Sequence, residues 1–475
     1  MILSGVIGKG KGTRGSTLVI VLWIALGLVS VTLYFAQSML YEIKAADNRV
    51  EGLAAEQAID AGARYAVALI GSLETNGIVP GRGSYACAAV PLSARTPADP
   101  AAAKFWFIGR DTNAEPSSQA VSFGLVDEAS KINLNSASSN MLYYLCDMDL
   151  ELTESILDWR GSNGPGSTYV YYGMQDPPYE CKQAPFESTG ELGLVMGVTT
   201  ELLYGEDRNR NGILDPDESD ENRDGVAKAG LLGLVTVFSR EPNTYSNGVA
   251  RINIRILTSA TSGFREMLEN ALGSGKADPV LQRLGISGGG GGGRGGGGQS
   301  TTVNFTSPLD FYRRSGLTPE EFALISDQIT VVEGDYIEGR VNINTAPAAV
   351  LSCLPGLAES PDLVTTIINY RLSNPDKLDS VAWLVDAIGQ NNEEVLSKLQ
   401  AQDCITTRSY QFTADVAATG AFGRGYRRSQ FVIDSSTGVS KVVYRQDLTG
   451  LGWALGKDVR DQLNSLTQNG NFVSR

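Results

Sequence analysis

The run Arg14-Gly15-Ser16-Thr17, continued as LVIVLWIALGLVSVTLYFA over residues 18–36, decides how the rest of the chain is read. From Ser16 to Ala36 there are 21 residues without a charged side chain, enough for a helix to cross a hydrocarbon core of about 30 Å. Lys9, Lys11 and Arg14 precede it with no acidic residue, so the positive-inside bias keeps residues 1–15 in the cytoplasm and exports the remainder. A cleaved signal peptide would have a shorter apolar core, about 7–15 residues, with a small-x-small site behind it. This stretch has neither. A plain signal-anchor is the simpler rival, and only the Gly15-Ser16 junction and the sequence beyond the apolar run speak against it.

Beyond the run comes a second helical half. Residues 37–74 contain no proline, are rich in alanine, and set Val50, Leu53, Ala54, Ala58, Ala61, Tyr65, Ala68 and Leu69 at helical spacings. One helix over 16–74, with its membrane half at 16–36, would be roughly 90 Å long. A basic leader ending in glycine, then an apolar half-helix fused to an amphipathic one, resembles the start of type IV pilins and of the pseudopilins of type II secretion. That resemblance implies a leader at 1–15, cut between Gly15 and Ser16 by prepilin peptidase.

The chain has 475 residues, enough for two or three domains. Its net charge of −14 disfavours nucleic acid or anionic lipid as a partner. It has no histidine, which excludes His-dependent triads and His-ligated zinc. Cys87, Cys146, Cys181, Cys353 and Cys404 form no CxxC pair, against a zinc or iron–sulfur site. An exported chain has room for one or two disulfides, and Cys146 with Cys181 and Cys353 with Cys404 are the pairs that fall within single domains, with Cys87 left over; the sequence leaves the connectivity open.

Short strands are expected at Lys104–Ile108 and Val121–Val126. An internal repeat follows. Ile132-Asn133-Leu134-Asn135-Ser136-Ala137, with Met141-Leu142, Leu145 and then Ile156 to Arg160, returns as Val341-Asn342-Ile343-Asn344-Thr345-Ala346, with Val350-Leu351, Leu354 and Ile367 to Arg371. Arg251-Ile252-Asn253-Ile254 reads as a third, decayed start. Each unit is a strand, a capped helix and a second helix ending at arginine, similar to a helix-hairpin-helix. DNA-binding versions hold phosphate with nearby Lys and Arg. Here Asp147, Asp149, Glu151, Glu154, Glu359 and Asp362 stand in that neighbourhood, so the repeats are read as packing units. Segments 234–238 and 250–257 read as strands, 262–284 and 318–327 contain helices, and 288–298 is a glycine-rich linker without the Lys-Ser/Thr of a phosphate-binding loop. Strands at Ser409–Ala417, Arg428–Ile433 and Lys441–Gln446 close the chain, and the polar tail from Gly456 is expected to be peripheral or frayed.

The paired repeat, with Gly124-Leu125-Val126-Asp127-Glu128 before it and Glu191-Leu192-Gly193-Leu194-Val195-Met196-Gly197 within it, resembles the GspK class of large minor pseudopilins of type II secretion. The resemblance implies an α+β fold: a pseudopilin sheet core, begun in 75–131 and completed by 405–475, interrupted by a large helical domain at 132–404. Major pseudopilins carry a Glu at the fifth mature position, whereas here that position is Ile20. A member lacking it has no carboxylate seeking a partner in the lipid phase, which suits a place at the filament tip. The implied partners are minor pseudopilins of the I and J classes, the major pseudopilin filament, the inner-membrane assembly platform, prepilin peptidase, and secreted substrates or the outer-membrane channel. The implied location is the bacterial inner membrane, single-pass, with the C-terminal bulk in the periplasm.

The strongest chemical motif is Asp207-x-Asn209-x-Asn211-Gly212-Ile213-Leu214-Asp215-x-x-Glu218, the spacing of an EF-hand calcium loop over 207–218. Asp207, Asn209, Asn211, Asp215 and Glu218 offer side-chain oxygens, Ile213 its carbonyl, and Gly212 the turn. Asp220-x-Asn222-x-Asp224-Gly225 restarts the pattern, but Leu231 stands where the closing Glu belongs. The rival reading is a solvated acidic loop. So many carboxylates in one loop repel each other unless a cation sits among them, and a structural calcium is expected. No enzyme constellation survives inspection. The sequence therefore points to an assembly protein at the pseudopilus tip, or else to a membrane-anchored, calcium-dependent periplasmic binding module that does not polymerise.

Overall fold

The computed structural model describes residues 14–72, 90–92, 102–110, 120–162, 169–245, 248–258, 261–286, 302–389 and 391–469. Most of the leader, Cys87 and the glycine-rich linker lie outside them.

One helix runs over Arg14–Gly71, 58 residues. Among the described residues it alone is long and apolar enough to cross a membrane. Among the described residues its first half packs against nothing: every large apolar side chain from Leu18 to Ile43 is exposed. Its second half lies on a sheet through Ala55, Ala58, Ile59, Gly62, Ala63, Ala66 and Ile70, a stripe at helical spacing. The stripe is narrower and smaller than the expected one, for Val50, Leu53 and Ala68 face outward, while Tyr65 sits at its edge with its ring against Phe105. Small side chains let the helix come close. A Cβ on Gly62 would stand 2.6 Å from Val416 Cγ1 and 3.2 Å from Phe105 Cδ2.

The sheet joins chain segments some 300 residues apart. Its antiparallel order is Val90–Pro91, Lys104–Ile108, Gln411–Thr419, Arg427–Asp434, Lys441–Asp447, with Val126–Asp127 also pairing to Gln411–Thr419. The period-2 alternation sends Phe105, Phe107, Phe412, Ala414, Val416 and Phe431 to the helix, and Trp106, Ile108 and Ala417 to the opposite face. That second face is covered by Ala454, Leu455 and Leu463. Through Asn469 the tail is peripheral but ordered: Gly456–Asn469 is a helix, and its Leu463 seals the outer face. The expected strand over 121–126 breaks into a bridge at Phe123 opposite Ile108 and the pair Val126–Asp127. Here the backbones of Gly109 and Gly124 approach too closely for a Cβ on Gly109, which would sit 2.8 Å from Gly124 N.

Between Asp127 and Gln411 lie three units built alike. Each opens with a two-residue strand that pairs in parallel with a returning strand: Ile132–Asn133 with Val235–Thr236, Ile252–Asn253 with Ile329–Thr330, Val341–Asn342 with Ile405–Thr406. In each, the Asn Oδ1 accepts from the amide two residues on, at Asn135, Arg255 and Asn344. Each returning Thr Oγ1 does the same, for Phe238, Val332 and Arg408. The segment 251–254 is therefore the start of a complete third unit, helices included. In the first and last units, the arginine ending the second helix ties it back to the opening turn. Arg160 donates to the carbonyls of Leu134 and Ala137, and Arg371 to those of Ile343 and Ala346. One continuous apolar core runs through all three.

The units are knotted to the sheet at Asp127 and Glu128, both buried. Asp127 Oδ2 accepts from Ser409 (2.6 Å), Thr345 (2.5 Å) and Asn342 (3.2 Å), while Glu128 accepts from Lys131, Thr236 and Thr413. A polar network this fully paired fixes one arrangement of the parts.

The four described cysteines are free, so the pairings Cys146–Cys181 and Cys353–Cys404 are not formed. Cys353 turns into its own helix, its thiol donating to Ala349 O, and burial pushes it up to about 12, with Cys146 of the first unit the next influence. Cys404 is buried at the start of a returning strand, where burial likewise raises it to about 12.

Candidate metal centre

The segment 205–230 is a closed loop pinned at its base. The short helix Thr200–Tyr204 ends at Gly205, in the left-handed region at φ 65°, and Glu206 N donates to Lys228 O while Gly230 N donates to Tyr204 O. The strands of the base touch: a Cβ on Gly205 would lie 2.3 Å from Lys228 O.

Within it, 207–218 takes the shape its spacing predicts. Asp207 accepts from the amides of Asn211 and Gly212, both at 2.9 Å. Asn211 Oδ1 accepts from Ile213 N, and Glu218 accepts from Asn209 N (3.1 Å) and Asp215 N (3.0 Å). Arg210 and Gly212 hold positive φ, 58° and 83°, which folds the chain around a common centre. Asp207 and Asn211 are 2% and 1% exposed, Asn209 8%. Asp215 Oδ2 collects the amide groups of Asn209 (2.6 Å) and Asn211 (2.8 Å). The structure thus brings all six expected ligand residues into one loop.

Two features bear on whether a cation fits. Asn209 Oδ1 is buried and accepts no hydrogen bond, an oxygen left with nothing to neutralise its lone pairs. Burial pushes the Glu218 carboxyl above its ordinary value, with Asp207 and Asp215 adding to the push against the two amide donors. Among the described residues no three Asp, Glu, Cys or His side chains gather to hold an ion by themselves. The donor set here is mixed instead, carboxylate, amide and carbonyl oxygens, the hard ligands calcium takes.

The second half-site repeats the geometry. Asp220 Oδ2 accepts from Gly225 N, Asn222 Oδ1 from Asp224 N, and Asp224 Oδ1 from Val226 N. Arg223 and Gly225 repeat the positive φ pair, 59° and 75°. Leu231, at the closing position, is buried in the apolar core. Its place is taken from the other side: Glu206, 6% exposed, accepts from Glu221 N (2.9 Å) and Lys228 N (3.1 Å). These are the second and ninth residues of that loop, where Glu218 caps the third and ninth of its own. Asp220 Oδ1 is shielded and unpartnered, as Asn209 Oδ1 is. The sequence reading missed Glu206, although an acid directly ahead of a tandem loop lacking its closing acid was the available signal.

It also missed the loop's seat. Arg428, on the strand Arg427–Asp434 and fully buried, pairs with Asp415 through Nε (2.8 Å) and Nη2 (2.6 Å). Its remaining donors go to the loop carbonyls of Asn209 and, at 2.9 Å, Arg210. Asn209 Nδ2 also donates to Trp453 O. Gly15 and Ser16 fall in the first turn of the N-terminal helix, far along the chain from this centre.

Neither family models nor curated proteins match the chain. Among solved structures it is similar to a chain of the GspK-GspI-GspJ complex from the enterotoxigenic Escherichia coli type 2 secretion system, at 11% identity and a TM-score of 0.38, with 88% of this chain and 98% of that one covered.

Proposed function

We propose that the protein is a minor pseudopilin at the tip of a type II secretion pseudopilus, initiating assembly with smaller minor pseudopilins of the I and J classes and supporting export of folded proteins. The observation that carries this reading is the N-terminal helix. It is one unbroken element whose apolar half stands free of the fold while its other half lies on a small antiparallel sheet. A plain anchor has no reason to continue rigidly into the core it holds. Val50, Leu53 and Tyr65, exposed on the second half, offer apolar contacts to neighbouring helices of a filament. Ile20 in place of an intramembrane acid removes the group that would seek a subunit above, and the three-unit insertion adds bulk that further extension would have to clear. In this reading the anchor sits in the inner membrane, the rest in the periplasm, and the leader is removed by prepilin peptidase.

The loops 207–218 and 220–228 are read as structural calcium sites. Asp207, Asn209, Asn211, Ile213, Asp215 and Glu218 would hold the first ion, and Asp220, Asn222, Asp224 and Glu206 the second. Calcium would supply positive charge that relieves carboxylate repulsion and locks the loop.

The deciding measurement is the intact N-terminus by mass spectrometry after membrane expression with and without prepilin peptidase. A peptidase-dependent start at Ser16 is expected. A retained leader under both conditions would overturn the proposal in favour of a fixed, calcium-dependent module that does not polymerise.

A further inference from the structure

A second site of charge lies where the sheet, the first unit and the calcium loop meet. A cavity of about 20 Å³ is lined there by Arg110, Lys131, Arg210, Gly233, Asp415 and Gln430, among others. Three cations and one anion face it, and the anion is already committed. Asp415 is held by Arg428 through both carboxylate oxygens. Lys131 is paired with Glu128 at 2.5 Å. Among the described residues Arg110 has one acceptor, the neutral Gly233 O at 3.2 Å. Arg210 has none among the described residues, and its Nε is shielded from solvent without an acceptor. Gly233 is shaped for this crowding, because a Cβ there would stand 2.2 Å from Arg110 Nη1.

Arg110 and Arg210 are half-buried, and the Asp415 and Asp207 carboxylates offset part of the charge on Arg210, but a guanidinium nitrogen shielded from water without an acceptor is costly until something pairs with it. The space available is that of about one water molecule or a monatomic ion. We propose that this cavity is a halide site, in which Arg110 and Arg210 hold one chloride ion that joins three separate parts of the chain. Arg110 follows the sheet strand Lys104–Ile108, Lys131 leads into the first unit, and Arg210 is the fourth residue of the loop 207–218. Bridging them would add a second tie between the loop and the sheet beside the one Arg428 makes. The electrostatics agree with the geometry: burial lowers the Lys131 ammonium pKa, Glu128 opposes that, and both Arg110 and Arg210 push it further down.

The test is thermal melting of the full-length, detergent-solubilised chain at fixed calcium and fixed ionic strength, with chloride or bromide replacing gluconate. A saturable rise of about 2–4 °C is expected as the site fills, lost in Arg210→Gln and in Arg110→Gln. Crystals of the unsubstituted chain grown in bromide give a reading that needs no variant, and an anomalous peak within hydrogen-bonding reach of Arg210 is expected. Identical melting in halide and gluconate together with no bromide peak would overturn the proposal.

Discussion

Glu206 and Glu218 close two similar loops from opposite directions, and their chemistry separates cleanly. Glu218 is the twelfth residue of its loop, while Glu206 precedes both loops and reaches the second. Calorimetric titration is expected to find two calcium ions in the unsubstituted chain and one in Glu206→Gln. In Glu218→Ala the first site should weaken about 100-fold, through loss of the bidentate ligand. Melting with calcium against chelator checks the reading as a whole: an unchanged midpoint in every variant would sink it. Asp127 gives a prediction of a different kind. Burial raises its pKa from 3.8 to about 6, against the hydroxyl donors of Ser409 and Thr345. The folded chain therefore binds this proton more tightly than the unfolded one. The group's contribution is fully present below pH 3.8 and is lost as pH rises through about 6, a loss on the order of 3 kcal/mol. Glu128, lowered by Lys131 despite its burial, acts in the opposite sense below pH 4.5. Asp127→Asn is expected to remove the decline between pH 4 and 6 and leave the acid limb; an unchanged profile would show that Asp127 is ionised throughout.

At the scale of elements, the helix shows what the sequence could and could not reveal. Its length and its two halves were legible because charge and proline are absent where a helix needs them absent. The face on the sheet was not. In an alanine-rich segment apolar residues lie all around the axis, and the deciding factor is closeness, which favours Gly62 and Ala66 over Val50 and Leu53. Gly62→Ala is thus expected to destabilise by about 1–2 kcal/mol in denaturant melts, since overpacking outweighs the gain in helix propensity of up to about 1 kcal/mol. A more stable variant would mean that the helix can lift from Val416 at no cost. The repeat units make the same point. The opening strands were readable from their Ile/Val-Asn pattern, and two of three units were legible as a strand followed by a helix pair. Of the returning strands only Val235–Thr236 fell within an expected one, 234–238; Ile329–Thr330 and Ile405–Thr406 did not, because two residues ending in threonine carry no periodicity, and only the parallel pairing shows what Thr236, Thr330 and Thr406 share. The disulfide expectation failed for a related reason: sequence proximity suggested partners, but Cys353 packs into its own helix, under the influence of Cys146 of another unit.

At the scale of the whole molecule, the loop 207–218 is not an appendage. Its carbonyls at Asn209 and Arg210 are acceptors for Arg428, and Arg428 is the buried partner of Asp415 on the central strand of the sheet. Roughly 200 residues separate these groups along the chain, so no local pattern could have joined them. The consequence is that order in the loop and order in the sheet are linked. A cation that holds 207–218 in shape also holds two acceptors in place for a guanidinium that the sheet cannot leave unpaired. Hydrogen exchange is the measurement suited to this, because it reports opening element by element. Calcium is expected to slow exchange in the loop and, through Arg428, along Gln411–Thr419 and Arg427–Asp434. In Arg428→Gln the loop should still respond, while the strands should lose the calcium effect and the fold about 3–5 kcal/mol, the cost of stranding Asp415. If calcium protects the loop alone in the unsubstituted chain, the clamp is only packing. If strand protection survives the substitution, the coupling runs instead through Trp453, whose carbonyl accepts from Asn209.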